Sequence, residues 1–271
     1  LRYRKVPFCA INEPMERKML FRVSLVAFMT FGGLASAHAS DFDTTVESFS
    51  GLVGYYTFTT RAQGDSVINK YTGVLENGAM VGGDGSGPPV NDPTSSALIL
   101  ANDTGGMEDM ISAGKKPLLG KISTKGSIVA WINLGDLPTN LNRIFSIAGE
   151  SAVGDDFDLQ IQGANQLCFF TDGGGSTCDP TGFTTADIGV WHLITATFKA
   201  GGNRSLYIDG KLVAKSGAGG HSATQAAFYV GESPVFTGRY FVGSIADVAV
   251  YKTVLSKGDA KLLWISARAT K

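Results

Sequence analysis

Nucleophilic and metal-assisted hydrolysis need particular side chains at fixed spacing, and this chain has few of them. It contains no G-x-S-x-G elbow and no H-E-x-x-H helix. His192 follows Trp191 in a strand-like run and reads as a structural strand residue. His221 sits in the glycine-rich run Gly217-Ala-Gly-Gly-His-Ser-Ala223 and reads as a solvated loop side chain. The glycines from Gly82 to Gly87 look like a phosphate loop, but Pro88 and Pro89 forbid the helix whose N-terminus would hold the anion.

Binding is better provided for than catalysis. Trp131 alternates against Ile128, Ala130 and Ile132, and Tyr207 against Leu206 and Ile208, so each points to the face of its strand opposite those apolar neighbours. An aromatic ring with an apolar body and a polar edge suits stacking on a ligand, and both residues are candidate ligand contacts. The alternative for Trp131 is packing beneath a covering loop. Trp191, Phe198, Phe241 and Tyr251 read more simply as packing residues.

These residues must be carried by β-strands. The chain has 271 residues, of which 17% are charged and 44% hydrophobic, with 35 glycines. That composition fits one large all-β domain. A net charge of −1 offers no basic field for a nucleic acid backbone. Short runs rich in Val, Ile, Phe and Tyr recur between turn-forming clusters, which predicts an antiparallel sandwich or barrel. The clearest runs are 52–59, 127–134, 143–148, 157–162, 167–171, 191–198, 205–208, 211–214, 227–230 and 240–251. Asp209-Gly210 supplies a tight hairpin turn, Lys199 to Arg204 a longer polar link, and 81–103 an irregular surface loop. One helix is expected after Ser256, which can cap it with Asp259 completing a capping box.

The first 39 residues are expected to lie outside that domain. Arg17, Lys18 and Arg22 precede an apolar run from Val23 to Leu34, and Ala37-His38-Ala39 follows, the layout of a secretory signal peptide. The run is too short for a membrane-spanning helix, which needs about 20 residues. Cleavage after Ala39 would remove more basic than acidic residues, leaving a mildly acidic secreted or periplasmic chain of residues 40–271. The residues before Met15 read as a misplaced start. Cys9 would leave with the leader. Cys168 and Cys178 then face an oxidising compartment as an even pair on the two arms of a glycine-rich hairpin, and a disulfide is expected.

Four segments in order carry a resemblance: Gly126-Ser-Ile-Val-Ala-Trp-Ile132, Val190-Trp-His-Leu-Ile-Thr-Ala-Thr-Phe198, Leu206-Tyr-Ile-Asp-Gly-Lys-Leu-Val213, and Phe241-Val-Gly-Ser-Ile-Ala-Asp-Val-Ala-Val-Tyr251 with Leu255-Ser256. Together they resemble a laminin-G-like domain of the concanavalin A-like lectin and glucanase superfamily. The resemblance implies two curved antiparallel sheets packed as a jelly-roll β-sandwich, here with one short C-terminal helix. It leaves the ligand open, because the fold hosts lectins, adhesion modules and glycosidases.

The resemblance also frames two site expectations. Laminarinase-like hydrolases on this fold use an E-x-D-x-x-E run, since retaining hydrolysis needs two carboxyls about 5 Å apart. The nearest run here, Asp156-Phe-Asp158-Leu-Gln-Ile161, ends on an apolar residue and lacks the proton donor. Relatives often hold calcium at a sandwich rim, and Asp155, Asp156 and Asp172 at strand ends are the candidate ligands. Their alternative role is as solvated turn residues. Such domains often carry an acid directly after the residue equivalent to Ile245. Here that place is Ala246 and Asp247 follows, a shift expected to point the acid to the other sheet face. The expectation is a secreted, non-catalytic module that binds a glycan or a cell-surface protein, with calcium as a candidate ion. A glycan-active enzyme with an unfamiliar site and a structural or adhesive envelope protein are the alternatives.

Overall fold

The computed structural model describes residues 41–58, 66–68, 74–76, 78–82, 86–88, 96–100, 110–115, 122, 124–137, 142–148, 157–171, 175–218, 227–232 and 239–268. The chain opens with helix α1 (Asp41–Ser48), then strands β1 (Leu52–Tyr56), β2 (Ser66–Ile68), β3 (Val74–Glu76), β4 (Met80–Val81), β5 (Leu98–Leu100) and β6 (Met110–Lys115). Next come β7 (Lys125–Leu134), β8 (Asn142–Ala148), β9 (Phe157–Gln162), β10 (Gln166–Thr171) and β11 (Gly175–Cys178). The last elements are β12 (Trp191–Lys199), β13 (Gly202–Ile208), β14 (Lys211–Ala218), β15 (Ala227–Val230), β16 (Gly243–Tyr251) and helix α2 (Lys257–Arg268).

The strands form two antiparallel sheets. One runs β14-β13-β12-β7-β16-β1-β2, with β5 also paired to β16 and β4 to β5; the other runs β11-β10-β9-β8-β15-β6-β3. Alternation along the strands explains the sandwich. Ile128, Ala130, Ile132 and Leu134 of β7 meet Phe157, Leu159 and Ile161 of β9 and Leu167 and Phe169 of β10 in the core between the sheets. Phe157, Phe169 and Phe198 pack edge-on there, with ring centroids 5.3 to 6.1 Å apart. Arg204 of β13, buried, ties one sheet to the other by donating to the carbonyl of Thr171 at 3.0 Å, its hydroxyl at 3.1 Å, and the carbonyl of Gly175.

The nine-stranded sheet is buried on its other face as well. Tyr55, Val129, Trp131, Leu193, Ala246, Ala249 and Tyr251 form a second apolar layer under Phe42 and Val46 of α1 and Leu263 and Ala267 of α2. Tyr251 donates its hydroxyl to the carbonyl of Val46 at 2.8 Å. This layer is what sequence alternation missed. Trp131 and Tyr207, expected to be exposed, are 2% and 6% exposed. Trp131 lies beneath α1 and α2, so its face is occupied by helices instead of solvent.

Several expectations are met and a few shift. β9 and β15 have the expected bounds, and Cys168 and Cys178 are cross-strand partners joined by a disulfide. Ser256 and Asp259 form the capping box: Ser256 N–H donates to Asp259 Oδ2 at 2.7 Å, and Asp259 N–H to Ser256 Oγ at 3.2 Å. The 199–204 link is shorter than expected, since β12 extends through Lys199 and β13 begins at Gly202. The segment 81–103, expected to be irregular, contributes β5, whose Leu98 and Leu100 enter the core. At Asp247, with φ of 50°, the β16 register against β7 slips between Ala246 and Ala249. The bulge absorbs the extra residue, so Ile245 and Val248 both face the inter-sheet core while Ala246 and Ala249 face the helices. Burial first, and then the charges of Asp247 and Asp43, raise the pKa of Tyr55 in the helix-covered layer.

Candidate functional site

A cleft of about 650 Å³ opens where β12 begins, lined by Trp131, Gly189, Val190, Trp191, His192, Asp209, Trp264 and Arg268. All three tryptophans of the chain meet there. Trp131 comes from the centre of the nine-stranded sheet, Trp191 from the first position of β12, and Trp264 from α2. Trp131 and Trp264 pack against each other with centroids 5.8 Å apart, and Phe42 closes over Trp131 from α1 at 5.9 Å. Trp191 is half-buried with its flank against the same layer.

The β13–β14 turn brings Asp209 and Trp264 together. Asp209 and Gly210 take φ of 53° and 73°, the left-handed pair that a two-residue hairpin requires. A Cβ at position 210 would come within 2.9 Å of Trp264 Cβ and 3.1 Å of Lys261 Cα, so only glycine lets α2 settle on the turn. Asp209 is fastened in its turn to β12: Oδ1 accepts from Leu193 N–H at 2.9 Å, Oδ2 lies 3.0 Å from His192 Nδ1, and its own N–H donates to the Leu193 carbonyl at 2.8 Å.

The opposite wall is the 187–190 segment. Gly189 N–H donates to the Leu134 carbonyl at 2.9 Å and its carbonyl accepts from Asn133 Nδ2 at 3.2 Å, which pins the segment to the end of β7. Asp187 caps the preceding turn through Thr184 and places Oδ1 3.3 Å from His192 Nε2. His192 thus stands between two carboxylates, its ring against Phe183 at 5.5 Å. Burial disfavours its charge, but the hydrogen bond and charge of Asp209 and the charge of Asp187 outweigh that and hold its pKa above the ordinary value.

A stability signature follows. A histidine whose folded pKa is raised contributes stability fully below its unfolded pKa, about 6.5, and loses it as pH climbs through the raised folded value. Melting curves across about pH 5.5 to 8.5 are expected to show wild type gaining stability over His192→Gln as pH falls through that window. A constant difference between the two proteins across the range would contradict the assigned charge contacts.

Among the described residues, two buried polar atoms of the cleft-lining side chains lack a hydrogen-bond partner: the indole N–H of Trp131, and His192 Nε2, which lies 3.3 Å from Asp187 Oδ1. Buried donors are almost always satisfied, which makes the Trp131 N–H an exception within the helix-covered layer. Of the residues singled out from sequence, Trp131 borders this cleft. Tyr207 is buried on β13 and is not among its lining residues. Trp191, assigned to packing by sequence, is a cleft wall. Asp155, Asp156 and Asp172 lie outside the described residues. Asp158, the second acid of the Asp156-Phe-Asp158 run, is 1% exposed, with its Cα opposite Phe170. Among the described residues no three His, Cys, Asp or Glu side chains gather as a metal-binding group, and no helix is long and apolar enough to cross a membrane.

Comparison with known proteins agrees with this architecture. The structure resembles domain 4 of AbnA, a GH43 extracellular arabinanase from Geobacillus stearothermophilus solved in complex with arabinotriose, at a TM-score of 0.60 and 16% identity, covering 79% of this chain and 98% of that one. It resembles the binding domain of Paraclostridial Mosquitocidal Protein 1 at a TM-score of 0.56 and 12% identity, over 81% of this chain and 52% of that one. Trypanosoma rangeli sialidase in complex with the inhibitor DANA gives a TM-score of 0.56 at 14% identity, over 79% of this chain and only 32% of that one. At such identities the likeness is one of fold, and the fold's neighbours include both binding domains and enzymes. A comparison of the sequence with curated proteins finds no match. A laminin-G-type family model does match, over residues 105–261, and with more than half of its length covered the chain belongs to the concanavalin A-like lectin/glucanases superfamily.

Proposed function

We propose that the protein is a secreted, non-catalytic carbohydrate-binding module and that the three-tryptophan cleft is its glycan site. The observation that carries this reading is the convergence of Trp131, Trp191 and Trp264 on one cleft. Saccharides pair an apolar ring face with a rim of hydroxyls, and an indole wall beside fixed donors and a carboxylate matches both parts. The arabinanase domain of the same fold was solved with arabinotriose, which supports the ligand class without locating a site here. The Cys168–Cys178 disulfide supports secretion, since such bonds persist in oxidising compartments.

The test is a glycan array probed with the protein in parallel with calcium and with a chelator. Binding indifferent to the chelator supports the cleft, whose one lining carboxylate, Asp209, already meets Leu193 N–H and His192. Binding abolished by the chelator moves the site to the acidic positions Asp155, Asp156 and Asp172 and a calcium-assisted mode. No binding in either arm overturns the carbohydrate reading and favours a protein partner.

A further inference from the structure

Resting on the saccharide reading of this cleft, we infer that the cleft selects acidic saccharides, with Arg268 recognising a sugar carboxylate while the sugar ring lies against Trp191. The argument starts from which polar groups of the cleft are already used. Asp209 accepts from Leu193 N–H and meets His192 Nδ1, and the Gly189 carbonyl accepts from Asn133. Its acceptors are therefore largely committed to the protein. Its donors are not. Among the described residues no carboxylate pairs with Arg268, although its side chain is exposed on the last turn of α2. An exposed guanidinium at the cleft, with no carboxylate partner among the described residues, calls for a ligand group that accepts hydrogen bonds and bears negative charge.

The posture of Arg268 narrows that charge to a planar group. Its guanidinium carbon lies 4.9 Å from the centroid of the Trp264 ring. Cation–π contact with the indole holds the side chain at the cleft and leaves its edge N–H groups free. Those donors form the fork that fits a carboxylate with two parallel hydrogen bonds. Asp187 and Asp209 both face His192, which when protonated offsets one of their two charges, so Arg268 must recognise the anion at close range. Among the described residues the Trp191 indole makes no ring contact with Trp131 or Trp264 and no side-chain hydrogen bond, and its half-buried ring leaves surface for a stacking wall.

Isothermal titration of the protein with an oligogalacturonate and with the fully methyl-esterified form of the same oligomer separates charge from sugar. The acid is expected to bind about tenfold or more tighter than the ester, the scale of one charge-assisted hydrogen bond. Arg268→Met is expected to bring the two affinities together by weakening the acid alone, and Arg268→Lys to restore part of the preference. Equal binding of acid and ester by wild type, or a preference unchanged in Arg268→Met, overturns the inference and leaves the glycan reading standing. Binding of neither oligomer by a protein that binds neutral glycans on the array likewise overturns the acidic preference alone. Failure on the array as well removes the reading beneath it.

Discussion

Trp131→Ala is expected to lower unfolding stability by about 3–5 kcal/mol, read as a shift in the urea midpoint with an unchanged slope. Trp131 is 2% exposed and lies between Phe42 and Trp264. Truncation would empty the middle of the layer that joins both helices to the nine-stranded sheet, and a void there cannot close without moving them. Trp131→Phe keeps most of the ring and removes an N–H that has no partner in the protein, so it is expected to cost much less than the alanine variant. A loss below about 1 kcal/mol for Trp131→Ala would mean that the helices do not depend on this contact.

Trp191→Ala is expected to weaken glycan binding by about 10- to 100-fold while costing less stability than Trp131→Ala. Trp191 is half-buried at the start of β12 and lines the cleft without a hydrogen bond or ring partner of its own. What its removal forfeits is apolar surface offered to a ligand, and the loss of about 1.5–3 kcal/mol for one large side chain converts to that range. The paired variants separate two kinds of tryptophan at one cleft: Trp131 holds the fold, whereas Trp191 offers a face. Unchanged affinity in Trp191→Ala, measured on a glycan that wild type binds, would remove the stacking role.

The strands were legible because the alternation that builds them is local. β9 reads Phe157-Asp-Leu-Gln-Ile-Gln162, apolar at every other position, and those apolar positions enter the inter-sheet core. The Asp209-Gly210 turn and the Ser256–Asp259 capping box were legible for the same reason, each being fixed by residues within a few positions. Helix α1 was not. Asp41–Ser48 has two buried side chains, Phe42 and Val46, one helical turn apart, too short an apolar stripe to announce a helix. Missing α1 made the face of Trp131 look open to solvent.

The cleft was hidden for a different reason. Its walls come from β7, β12, the β13–β14 turn and α2, and they meet only because α2 docks on Gly210. Two traces of this were present in the sequence. The chain has only three tryptophans, and Trp264 and Arg268 stand four residues apart on the one expected helix, the spacing at which helical side chains meet. Neither trace says which strand end the helix covers. The Asp247 bulge was equally unreadable, since alternation counts residues and a bulge adds one without a distinctive residue type.

The three-tryptophan count permits a direct test of the central claim. An isotope-labelled sample should give three indole N–H resonances, one from each cleft tryptophan. Titration with a glycan selected on the array is predicted to shift the indole resonances, that of half-buried Trp191 most and that of buried Trp131 least. A glycan that saturates the protein while leaving the three indole resonances in place would contradict the account and put the binding site elsewhere on the sandwich.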